Sequence, residues 1–165
     1  MKIASQYTII SLFAILFVLS CTKPPDYPPE PVIEFKSLSK GFLTQGAFGD
    51  TLLLTISFTD GDGNIGDDEN RANFILTDLR DGQAFVTFSA PLIPVQGANN
   101  GISGEISVII DAGIPICCLY ENGLNPCTPS ADFPTDTVIY EVQIMDRDSN
   151  MSNIIQTDPI ILRCL

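Results

Sequence analysis

The chain reads as an all-β protein built as one two-sheet sandwich of about seven strands, and three observations predict this. Beyond residue 31, apolar and polar residues alternate over short runs, the signature of strands with one buried face. Clusters of Gly, Pro, Asn and Asp separate those runs, and these are the residues that turns require. No long stretch keeps the period of an amphipathic helix.

The first 20 residues fall outside that pattern. A basic start at Lys2 precedes an apolar run from Thr8 through Leu19, too short for a comfortable membrane span but suited to a secretory signal. The run ends in Val18-Leu19-Ser20-Cys21, which resembles a bacterial lipobox with valine where leucine is usual. The resemblance makes Cys21 the lipidated first residue of the mature chain. Acyl chains hold a protein to a bilayer at roughly 0.8 kcal/mol per buried CH2. Thr22, where aspartate would favour inner-membrane retention, points to the outer membrane. Residues 21–31 then carry five prolines between Thr22 and Pro31. Such a stretch favours polyproline II, so it is expected to act as a tether holding the domain about 30 Å from the lipid.

The folded domain is expected over residues 32–165. Ile33 and Phe35 begin a first strand; Leu52, Leu54, Ile56 and Phe58 line one face of a second. Phe74 to Leu79 and Ala84 to Ser89 give the third and fourth, and Ile106, Val108 and Ile110 the fifth. Val138, Tyr140, Val142 and Ile144 mark a sixth, and Ile154 to Leu162 a seventh, which Pro159 consigns to a sheet edge or a bulge. This spacing suggests a sandwich of immunoglobulin or fibronectin type.

Between the second and third strands lies Thr59 to Asn70, T-D-G-D-G-N-I-G-D-D-E-N, where Asp60, Asp62, Asp67, Asp68 and Glu69 interleave with glycines. Tight folding of this loop brings the acids together, and they repel unless water or a cation separates them. In a sandwich of this type the loop after the sixth strand sits at the same end, so Asp146 and Asp148 join the group. Asp60, Asp62, Asn64, Asp67, Asp146 and Asp148 are therefore candidate ligands for calcium, which takes about six to eight oxygens in flexible geometry. The loop is not an EF-hand, since Ile65 stands where glycine is needed and Arg71 where the closing glutamate belongs. Two plainer readings stand beside the cation: a solvated Asp-Gly turn, and a structural Asp146 that accepts backbone N–H groups to fix its hairpin.

Setting Cys21 aside leaves Cys117, Cys118, Cys127 and Cys164, an even number in an exported chain, expected as two disulfides. A bridge between adjacent cysteines strains the peptide between them. One of Cys117 and Cys118 is thus expected to join Cys127 and the other Cys164, fastening the long loop from Ala112 to Pro134.

The run T-V-I-Y-E-V-Q-I-M-D-R-D-S-N-M-S-N resembles the closing hairpin of many bacterial immunoglobulin-like domains, matching at Tyr140, Val142, Ile144, Asp146, Asn150 and Ser152. Taken with I-S-F-T-D-G-D-G-N-I-G, Ile56 to Gly66, the chain is similar to small lipoproteins of Bacteroidetes type. Here Asn64 replaces the last aspartate of their loop. The resemblance implies a fold and an address, not an activity.

Composition narrows the function. With 8 basic and 20 acidic side chains the net charge is −12, which argues against nucleic acid and against electrostatic adhesion to anionic lipid. The chain has no histidine, which removes the commonest general base and zinc ligand, so no nucleophilic set is assigned. The expected function is a non-catalytic binding or structural module of the cell envelope. It would be membrane-bound through its lipid and present loops to a glycan or an envelope protein. The alternative is a glycosidase-like hydrolase using paired carboxylates.

Overall fold

The computed structural model describes residues 26–66, 71–82, 84–90, 92–94, 101–113, 116–121 and 123–164. The signal segment, Cys21 and Asp67 lie outside the described residues. Those described contain strands, turns and irregular chain, and no helix.

Strands β1 (Val32–Leu38), β3 (Thr51–Asp60) and β6 (Ile102–Asp111) form one antiparallel sheet in the order β1-β3-β6. A second sheet has the order β5-β4-β8-β9, from β4 (Phe74–Asp78), β5 (Ala84–Phe88), β8 (Tyr140–Ile144) and β9 (Ile155–Gln156). A third joins β2 (Phe42–Thr44), β10 (Ile160–Arg163) and β7 (Thr135–Val138) in the order β2-β10-β7, with β2 and β10 parallel. One hydrophobic core draws residues from all three. In β3 the inward row is Leu52, Leu54, Ile56 and Phe58; in β8 it is Tyr140, Val142 and Ile144, all buried. Burial of each such side chain contributes about 1.5–3 kcal/mol.

The fifth strand is longer than its apolar pattern suggested, because Ile102 to Glu105 pairs with Ser57 to Asp60 and completes the ladder with β3. The expected sixth strand is two. β7 and β8 belong to different sheets and break at Ile139, whose carbonyl accepts from Leu79 N at 3.1 Å. The seventh run also divides, into β9 and β10. Thr157 turns inward at the break, its Oγ1 accepting from Tyr140 N at 3.1 Å, and Pro159, which has no N–H, occupies the gap. Consequently β10 is the central strand of its sheet rather than an edge. The three-residue β2 was not anticipated, since its only buried side chain is Leu43.

The end of the tether departs most from expectation. Val32 of β1 pairs with Thr59 of β3, so the incoming chain arrives where β3 finishes. There Gly61 N donates to Pro28 O at 2.8 Å. A Cβ on Gly61 would stand 2.3 Å from Tyr27 O, and one on Gly101 would stand 2.7 Å from the Tyr27 ring. The described part of the proline-rich segment is docked on two glycines instead of standing free.

Candidate metal centre

The period of the strands sets the site. Continuing the inward row of β3 past Phe58 gives Asp60, and continuing that of β8 past Ile144 gives Asp146. Each acid takes the position where the pattern calls for another apolar residue. Asp60 is 0% exposed and Asp146 is 4% exposed. Both rows end at the same pole of the molecule.

Beyond Asp60 the chain turns through Gly61 to Gly66, with Gly63 at φ 71° and Gly66 at φ 82°, a region that favours glycine. Asp60 Oδ2 accepts from Asn64 N at 2.8 Å. Carboxylate oxygens of Asp60, Asp62 and Asp146 lie within 4.8 Å of one another. Asp60 Oδ1, Asp62 Oδ1 and Asn64 Oδ1 are buried and meet no donor among the described residues. Burial pushes the Asp60 carboxyl up to about 6; the charges of Asp62 and Asp146 push the same way, against the Asn64 hydrogen bond. A buried acceptor without a partner costs about 1–3 kcal/mol. A hard cation among these oxygens would offset that cost and the mutual repulsion of the acids.

Asp146 also performs the structural work open to it in the sequence. Its Oδ1 accepts from Asn150 N at 2.7 Å and its Oδ2 from Asn150 Nδ2 at 2.8 Å, closing a turn in which Ser149 takes φ 71°. Each oxygen keeps a second lone pair, so this role and ligation are compatible. Asp148 is at the same pole, but its Oδ2 is bonded to Asn64 Nδ2 at 3.0 Å.

Three features escaped the sequence. Arg147 donates to the carbonyls of Ile65 at 3.2 Å and Gly66 at 3.3 Å, holding the glycine-rich loop against the turn. A lone arginine between two aspartates gave no sign of this. Tyr27 brings an aromatic ring to the acidic end, and only the bareness of Gly61 and Gly101 hints at it. At the other side Arg80 forms ion pairs with buried Asp78 and with Asp136, and donates to Cys117 O at 3.0 Å.

The long loop is fastened by Cys117–Cys127, with Cα atoms 4.4 Å apart, and Cys118–Cys164, 5.8 Å apart. This is one of the two cross-pairings left open by the spacing. Cys118 and Cys164 are fully buried, and Cys118 N donates to Gln45 Oε1 at 3.1 Å.

Fold and site together define an all-β chain with a buried carboxylate cluster at the pole where its N-terminal strap docks. No family model, curated protein or solved structure matches it.

Proposed function

We propose that the protein is a lipid-anchored, non-catalytic module of the cell envelope, an immunoglobulin-like sandwich whose acidic pole binds calcium. The immunoglobulin-like reading is supported by the placing of β1, β3 and β6 in one sheet and of β4, β8 and β9 in another, as strands A, B, E and C, F, G are divided there. β5 beside β4 and the separate sheet β2-β10-β7 depart from the seven-strand form. The lipobox-like Val18 to Cys21 supports the anchor and an outer-membrane address, as in small Bacteroidetes-type lipoproteins. A glycan or a neighbouring envelope protein is the partner class that suits exposed loops on such a module.

One observation carries the cation: buried oxygens of Asp60 and Asp62 that meet no donor among the described residues, in a cluster with the Asp146 carboxylate, and a third such oxygen on Asn64, whose N–H is bonded to Asp60. A turn whose acids merely face water would expose those atoms. The same burial favours binding over hydrolysis, because Asp60 is shut away from any sugar that would need it as acid or nucleophile.

Thermal melting of the full-length chain in detergent, in millimolar calcium against EDTA, tests the reading. A cation that binds only the folded state adds about 2.7 kcal/mol of stability when its concentration is 100-fold above Kd. The melting temperature therefore rises in calcium; identical melts overturn the site. For the anchor, fatty-acid label is incorporated by the parent chain and lost in Cys21→Ala, and label retained by that variant refutes lipidation.

A further inference from the structure

The turn after β8 meets the glycine-rich loop at three successive residues, each in a different way. Asp146 adds its carboxylate to the cluster. Arg147 N donates to Asn64 O at 3.2 Å while the guanidinium holds the carbonyls of Ile65 and Gly66. Asp148 Oδ2 accepts from the side-chain amide of Asn64.

That last bond settles which way the amide faces. An ionised carboxylate only accepts, so Asn64 must turn Nδ2 toward Asp148 and carry Oδ1 on its other side. Asn64 is 8% exposed; its Oδ1 is buried and meets no donor among the described residues, and its backbone N–H is bonded to Asp60. Of the four side chains that the cation reading assigns as ligands, Asn64 alone has a wrong end. A half-turn about its last side-chain bond replaces an oxygen with an NH2 group that repels a cation, whereas the carboxylates of Asp60, Asp62 and Asp146 present oxygen either way.

We propose that Asp148 is a positioning residue of the metal centre: it does not ligate, but holds the Asn64 amide with Oδ1 toward the cation. This rests on the cation reading above. It also accounts for a neutral amide at the third alternate position of the loop. The site keeps three carboxylates and gains a fourth oxygen whose direction is set from the opposite turn.

Calorimetric titration of calcium chloride into the full-length chain in detergent tests the assignment. Asp148→Ala is expected to weaken binding roughly 10–100-fold, the range for partners that orient metal ligands. Asp148→Asn, whose side-chain oxygen still accepts from the Asn64 amide, binds close to the parent chain. Asn64→Ala loses about as much as Asp148→Ala, and the double variant loses no more than either, since both remove one oriented oxygen. Equal losses in Asp148→Asn and Asp148→Ala overturn the assignment in favour of charge or direct ligation. Losses that multiply in the double variant, or an Asp148→Ala chain that binds like the parent, overturn it as well. A parent chain that binds no calcium overturns the cation reading itself; any of the other results, with the parent binding, removes only the role of Asp148.

Discussion

Asp60 is a carboxylate set where the inward row of a strand calls for another leucine, and its chemistry follows from that placement. Its carboxyl titrates at about 6 against an ordinary 3.8, chiefly because burial penalises the charge. The folded chain therefore holds this proton more tightly than the unfolded one. The group's contribution to stability is fully present below about pH 4 and lost as pH rises through about 6. In EDTA, Asp60→Asn is expected to melt higher than the parent at pH 7.5, with the difference closing toward pH 4; parallel melts at both pH values count against the assignment. Calcium competes with the proton, so it should raise the melting temperature of the parent more at pH 7.5 than at pH 5. Asp60→Asn should show little of that rise at either pH. The acids themselves were legible in the sequence; that Asp60 and Asp146 point inward was not anticipated, although their phase with the rows Leu52 to Phe58 and Tyr140 to Ile144 carries that signal. Arg147 and Asp148 were not distinguishable as a clamp and an orienter, since those roles depend on a loop more than 80 residues away in the chain.

At the scale of elements, the strands with clean alternation were legible because packing agrees with local pattern there. The elements that escaped are those decided by partners distant in sequence. β2 is too short to carry a pattern, and it exists because β10 offers a parallel ladder from Ile161 to Arg163. The divisions at Ile139 and Pro159 arise because one run of residues serves two sheets. Pro28 likewise packs because Gly61, between two acids of the cluster, leaves room for its carbonyl. Gly61→Ala brings a methyl group into backbone atoms that cannot move aside as a side chain would. It is expected to cost about 1–3 kcal/mol, as overpacking does. The matching observation is a lower melting temperature with faster proteolysis between Asp26 and Pro31; unchanged cleavage there would mean that the strap is not held by this contact.

For the molecule as a whole, the two poles are built differently. At the far end, Cys118–Cys164 ties the loop from Ala112 to Pro134 to the residue after β10, Cys117–Cys127 closes the loop on itself, and Arg80, paired with Asp78 and Asp136, donates to its Cys117 carbonyl. Cys118–Cys164 closes a span of 46 residues against 10 for Cys117–Cys127. In the chain-entropy account the longer span contributes more, within the usual range of about 2–4 kcal/mol. Replacing Cys118 and Cys164 with alanine should therefore lower the melting temperature further than replacing Cys117 and Cys127, and the reverse order would assign the fastening to the shorter bridge. At the near end no covalent link joins the loop after β3 to the turn after β8 among the described residues, and the proposed cation takes that part. The most direct measurement is a crystal structure of the protein grown in calcium. A cation peak held by Asp60, Asp62, Asn64 and Asp146, with oxygens at about 2.3–2.6 Å, is the expected result. Water at that position, with the four side chains turned apart, would contradict it.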